Sequence, residues 1–214
     1  MCTRNIQGEQ TIIEHIRGTE VKHTFLVEEN GQLNGLFVVD NATCELDIQC
    51  VGKNSKAKVT CLFMSKNGEQ VKANIHGNLQ ADHAEAELYL LSFLGDKADI
   101  QVDGWVTIAP DTKQTSGHLL EENIVLGKKV KVKTLPMLDV RSSDVSASHG
   151  AKIDRLDEWK LFYMMAKGLD QKQAQKLIVE GYIQRACDEV KMDDNGDERH
   201  KVVSGILSYF GMDD

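Results

Sequence analysis

Iron, zinc and sulfur chemistry in proteins runs on thiolates, imidazoles and carboxylates, so the cysteines and acidic clusters of this sequence come first. There are five cysteines: Cys2, Cys44, Cys50, Cys61 and Cys187. An odd number at irregular spacing does not make a disulfide framework. No C-x-x-C pair offers a zinc or ferredoxin-type cluster site. Cys44, Cys50 and Cys61 sit in strand-like runs, where a free thiol serves as a small buried hydrophobe. Cys187 falls on a predicted helix with its thiol expected at the surface. Asp193, Asn195 and Asp197 alternate around Gly196 as calcium ligands do, but the glycine and glutamate positions of a calcium loop are not met, so a solvated loop is expected. Lys128, Lys129, Lys131 and Lys133 form a basic strand of the kind found on exposed or edge faces. No G-x-x-x-x-G-K-[ST] run occurs, so nucleotide binding by that route is not expected.

The elements that must position these groups are those of an ordinary folded chain. Of 214 residues, 41% are hydrophobic and 27% charged, enough apolar sequence for one large domain, or one with a small appendage. The net charge of −8 argues against general nucleic-acid binding, which needs a positive field. No apolar run reaches the length of a membrane span, and the N-terminal residues lack the apolar core of a secretory signal, so a cytoplasmic protein is expected.

Between about residues 19 and 140 the pattern is that of strands. Runs at Val21 to Val27, Leu36 to Val39, Thr43 to Val51, Lys58 to Met64 and Val71 to Ile75 are separated by turn signals at Asn30-Gly31, Asp40-Asn41, Lys53-Asn54 and Asn67-Gly68. Further strands are expected at Glu85 to Phe93, Ile100 to Ile108, Ile124 to Leu126 and Val130 to Lys133, with Pro110 and Pro136 at turns. Alternation through Cys44, Leu46 and Ile48 puts one face of each strand in a core. Evenly spaced short strands fit a sandwich, a barrel or a stacked β-helix, and periodicity alone does not choose among them. After residue 155 the period becomes helical. Asp157 is the expected N-cap of a helix with Trp159, Phe162, Tyr163 and Ala166 on one stripe, ended by Gly168. Asp170 and Gln173 form a capping box for a second helix with Ala174, Leu177, Ile178 and Tyr182 along its stripe, and a third carries Val202 to Phe210. The expectation is an α+β chain, mainly β, with a core domain over 1–155 and a helical domain over 156–214.

One stretch carries a resemblance. Leu135-Pro136-Met137-Leu138-Asp139-Val140 leads to Ser143-Asp144-Val145-Ser146-Ala147-Ser148-His149-Gly150-Ala151. Leu156-Asp157-Glu158, Leu161-Phe162-Tyr163 and Lys167-Gly168-Leu169 follow. In order and spacing this resembles the SufB/SufD family, whose signature reads P-x-L-x-I, D-D-V-x-x-S-H-G-A, L-D-E, L-F-Y, R-G-I. Upstream, Asp103-Gly104-Trp105 to Lys113-Gln114-Thr115 and Glu122-Asn123-Ile124 resemble further family segments.

The resemblance implies a right-handed parallel β-helix followed by a small helical domain. It also implies pairing with a second such subunit, as homodimer or heterodimer, and docking of a SufC-like ABC ATPase on the C-terminal helices. Trp159, Phe162, Tyr163 and Tyr182 are the candidate contacts there, set against the plainer reading that these aromatics pack the helices onto the β-helix. The cargo it implies is a transient iron–sulfur cluster at a subunit interface. The family's two interface cysteines are absent: alanine (Ala147) stands at one position and Glu121 at the other. His149 is the remaining candidate ligand, with Glu121 or Glu122 as carboxylate partner, set against a capping role in a tight Ser-His-Gly turn. A diverged paralogue without cluster chemistry, or a carbohydrate-active β-helix enzyme using Asp96, Asp99 and Asp103, are the alternatives.

Overall fold

The computed structural model describes residues 2–156, 158–192 and 196–213. Twelve strands come first: β1 (Cys2–Ile6), β2 (Glu9–Arg17), β3 (Glu20–Val27), β4 (Gln32–Asp40), β5 (Thr43–Cys50), β6 (Lys56–Ser65), β7 (Gln70–Leu79), β8 (Glu85–Leu94), β9 (Asp99–Ile108), β10 (Lys113–Val125), β11 (Lys131–Val140) and β12 (Asp144–Arg155). Three helices follow: α1 (Glu158–Ala166), α2 (Gln171–Glu189) and α3 (Asp197–Tyr209).

Successive strands alternate between two sheets. Sheet A runs β1-β3-β5-β7-β9-β11 and sheet B runs β12-β10-β8-β6-β4-β2. Every pairing is parallel. A chain that visits the two sheets in turn and advances one strand each time is a coil, so the architecture is β-helical and mainly β. The period-2 alternation of the sequence is the physical reason: Cys44, Leu46, Ile48 and Cys50 all point between the sheets and are fully buried, while the residues between them face outward. The corners are made where a left-handed backbone is needed, and asparagine, whose short polar side chain tolerates that conformation, supplies it at Asn30, Asn41, Asn54 and Asn67.

Two apolar cores result. The first fills the lumen between the sheets, with Phe25, Phe37 and Phe63 completely buried among Ile6, Leu46, Ile48 and Ile75. Each such side chain contributes about 1.5–3 kcal/mol of burial. The second lies on the outer face of sheet B. There Leu62, Met64, Leu91 and Phe93 meet Val179, Ile183, Ala186 and Cys187 of α2 and Val203, Ile206 and Leu207 of α3. Sheet B is therefore apolar on both faces, which explains the near-continuous burial of β4, β6 and β8. Sheet A is covered on one face only and keeps its alternation.

Several expectations need correction. Residues 2–17 form strands β1 and β2, overlooked because these edge strands carry mostly exposed side chains. Ile124 is only the tail of the 13-residue strand β10, whose first half, Lys113 to His118, is too polar and glycine-containing to read as a strand. Gly117 is buried there, and a Cβ on it would lie 2.8 Å from Val106 Cγ1. Pro136 lies inside β11 and not at a turn. It is tolerated because β11 is the last strand of sheet A and has a neighbour on one side only. Cys187 is buried, not exposed. The buried stripe of α2 runs Ala174, Val179, Ile183, Ala186 and Cys187, rotated from the expected one, so Leu177 is exposed. The Asp170–Gln173 capping box forms as expected, and Gly168 takes a positive φ of 99° after α1. The expected cap at Asp157 and most of the acidic 193–197 loop lie outside the described residues.

Candidate functional site

The last coil of the β-helix is where the chemistry-bearing residues gather. β11 and β12 are the terminal strands of sheets A and B, so each keeps one edge of backbone groups without a strand partner. On β12 the Leu156 N–H is given to Val125 of β10. By the alternation of a parallel ladder, the odd-numbered amides of β12, His149 among them, face the open edge.

His149 is in register with Leu119 of β10 and lies on the same face of β12 as Val145 and Ala147, which pack against the lumen core. Its Nδ1 is 3.1 Å from the carbonyl oxygen of Pro136 on β11. A carbonyl only accepts, so Nδ1 carries the hydrogen, and in the neutral ring Nε2 is the nitrogen with the lone pair. A backbone carbonyl on one ring nitrogen is the arrangement that orients a histidine for ligation through the other. The Ser-His-Gly segment is extended strand, so His149 does not cap a turn.

Glu121 reaches the same lumen from β10, beside Ala151 of β12, and is 1% exposed. The Thr134 hydroxyl of β11 donates to Oε2. Oε1 receives no well-formed hydrogen bond and rests against Gly104 of β9, where a Cβ would come within 2.4 Å of it. Burial pushes the carboxyl up to about 7, with the Asp103 charge adding; Thr134 and the Gly104 backbone pull the other way. Glu121 and His149 thus share one face on adjacent strands, two residues out of register. Glu122 points the opposite way. It is nearly buried on the outer face of sheet B, accepts the Tyr89 hydroxyl at 2.5 Å and pairs with Arg185 of α2 at 3.3 Å, so it is no partner for His149. Among the described residues, no group of three or more His, Cys, Asp or Glu side chains converges on a metal position.

Sequence reasoning missed the groups that frame this end. Thr134 and Gly104 meet Glu121 only because β9, β10 and β11 are stacked. On the outer face, His118 hydrogen-bonds Ser148 through Nδ1 at 2.7 Å and Ser116 through Nε2 at 3.0 Å. The 30-residue separation of His118 and Ser148 is one turn of the coil, which was a legible signal only once the register was known.

The C-terminal helices supply the second feature. Trp159, Phe162 and Tyr163 of α1 are 80%, 65% and 65% exposed, so they do not pack α1 onto the β-helix. Leu161 and Met164, on the opposite side of α1, are the half-buried residues. Trp159 and Phe162 meet edge-on at 6.4 Å, and Trp159, Tyr163, Met164 and Ile178 line a shallow hollow between α1 and α2. Tyr182 is different: it is half-buried and packed against the outer core of sheet B. The carboxylates of the carbohydrate-enzyme alternative do not converge. Asp99 and Asp103 lie four residues apart on one strand, about 13 Å, beyond the spacing of a glycosidase pair, and Asp96 is turned to the Lys128 N–H at 2.6 Å.

Two parallel sheets wound around one lumen, with an open terminal coil and a helical cap on one face, define a β-helix protein. The chain belongs to the SufBD core domain family of the SUF system for iron–sulfur cluster assembly, whose model matches residues 10–182. It is similar to the iron–sulfur cluster assembly protein SufD of Escherichia coli, 26% identical over 161 residues, which is 75% of this chain and 36% of that protein. The chloroplastic protein ABCI7 of Arabidopsis thaliana is 22% identical over 89% of this chain and 44% of its own length. A SufBD family protein of Pyrococcus horikoshii is 24% identical over 67% and 32%. The chain therefore spans less than half the length of these curated relatives. Among the described residues no helix is long and apolar enough to cross a membrane.

Proposed function

We propose that this chain is a non-catalytic SUF subunit that docks a SufC-like ABC ATPase through α1 and α2 and pairs, through β11 and β12, with a second SufBD-type subunit. The observation that carries this reading is the exposed Trp159–Phe162–Tyr163 cluster. Three large aromatics held outward on a short helix cost solubility, and such groups are the anchors of protein interfaces. The open backbone edges of β11 and β12 support the pairing, since an unpaired strand edge is a template for another strand. In that assembly His149 Nε2 faces the seam, with Glu121 behind it. Imidazole and carboxylate are borderline and hard ligands for iron, and the partner subunit must supply the remaining ones, because this chain has no thiol at that end.

The test is capture of the purified chain by the SufC-like ATPase of its source organism, followed by anaerobic reconstitution with iron and sulfide. Wild type is compared with Trp159→Ala/Phe162→Ala and with His149→Ala. Capture lost in the aromatic variant and chromophore lost in the His149 variant support both parts. Capture without any chromophore leaves an ATPase-docking scaffold, and no capture by the wild type refutes the docking.

A further inference from the structure

The helical hairpin of α1 and α2 does not close onto the rim of the β-helix. Between them lies a cleft of about 870 Å³, within the range of roughly 300–1,000 Å³ that small-molecule sites occupy. Five apolar side chains line part of it: Ile124 and Leu126 from the end of β10, Leu156 after β12, Leu161 of α1 and Ile178 of α2, beside Gln171, Gln175 and Tyr182 of the same helix. Of the five, all but Ile124 are only half-buried, so they present apolar surface to the opening.

The rim is cationic. Lys128, Arg155 and Lys160 come from three different segments and line the same cleft, and none has an ion-pair partner among the described residues. Two acids line the cleft among the described residues: Asp96, whose Oδ1 accepts the Lys128 backbone N–H, and Asp154, which pairs with Lys152. With Asp154 paired to Lys152, the three cations face one carboxylate, Asp96, so among the described residues the lining keeps an excess of positive charge in a chain of net charge −8.

We propose that this cleft binds a small amphipathic organic anion, with an apolar aromatic or acyl body on the Leu156–Leu161–Ile178 floor and a carboxylate, sulfonate or phosphate group among Lys128, Arg155 and Lys160. Bound there, the ligand touches the β-helix and both helices of the hairpin at once, and so fixes the hairpin against the rim.

The probe is anilinonaphthalene sulfonate, titrated into the full chain by fluorescence beside N-phenyl-naphthylamine, which has a similar aromatic body and no sulfonate. The expected result is one sulfonate probe per chain, with the neutral analogue binding at least tenfold more weakly. Lys128→Glu/Lys160→Glu changes two exposed side chains and is expected to weaken the sulfonate probe by about tenfold or more, the equivalent of about 1.4 kcal/mol, without moving the neutral one. Trp159→Ala/Phe162→Ala is expected to leave both unchanged. Equal binding of the two probes, indifference to charge reversal, or loss of binding in the aromatic variant would each overturn the proposal, the last by placing the probe on the exposed face of α1.

Discussion

Replacing Glu121 with glutamine isolates the one buried carboxyl of the lumen. Its ordinary value of 4.5 is raised to about 7 by burial, so the folded chain holds this proton more tightly than the unfolded chain does. Below pH 4.5 both states are protonated and the group contributes no pH dependence. Between pH 4.5 and about 7 the unfolded chain has released the proton and the folded chain has not. Stability then falls as pH rises, and above about 7 the loss is complete. A rise of about 2.5 pH units at about 1.36 kcal/mol each gives a total near 3 kcal/mol. Glutamine keeps the acceptor for Thr134 and the volume beside Gly104 but does not ionise. Urea denaturation of both chains from pH 5 to 8.5 therefore has a stated outcome. The midpoints nearly coincide at pH 5 and diverge towards pH 8, with the variant the more stable by up to about 3 kcal/mol, a midpoint difference of about 1 M or more. Parallel midpoints across the range would show that Glu121 ionises in the folded chain as it does in water, and would refute the argument from burial.

Other outcomes follow from the same geometry. Tyr89→Phe removes the hydroxyl that Glu122 accepts in a nearly buried setting and is expected to cost about 1–3 kcal/mol in thermal unfolding. Trp159→Ala/Phe162→Ala removes exposed side chains and is expected to leave stability within about 0.5 kcal/mol while abolishing ATPase capture. Gly104→Ala forces a Cβ against Glu121 Oε1, Leu119 and Leu90 and is expected to cost about 1–3 kcal/mol by overpacking. With a thiol reagent at neutral pH, Cys2 alone is expected to react rapidly in the native chain. Cys44 and Cys50 are pushed up to about 12 and Cys187 to about 11 by burial, burial also raises Cys61 well above its ordinary value, and all four are expected to react only on unfolding.

Much was legible before any coordinates. Alternation through Cys44, Leu46 and Ile48, and the asparagine turns at Asn30, Asn41, Asn54 and Asn67, are local properties with a period of two and a left-handed corner. They specify strands and turns wherever the chain goes. The Asp170–Gln173 box and Gly168 are equally local. The segment around Ser148-His149-Gly150 identified the family, because order and spacing of side chains survive in one dimension.

The tertiary structure decided what depends on residues far apart in sequence. Pro136 reads as a turn until its strand is known to be an edge. Cys187 and Leu177 exchange expected exposure because the face of a helix is set by what it packs on, here the outer side of sheet B. Glu121 and Glu122 are indistinguishable as neighbours in sequence. The pleat sends one into the lumen, with its proton held up to neutrality, and the other outward to Tyr89 and Arg185. His149 gains a defined tautomer only from a carbonyl thirteen residues away. Most of the elements and the family could be read in one dimension, since both rest on short-range pattern, while the polar strands β1 and β2 and the first half of β10 could not. Stacking the coils decided which of those residues meet, which carry charge and which face solvent, because burial and ligation are properties of neighbours in space.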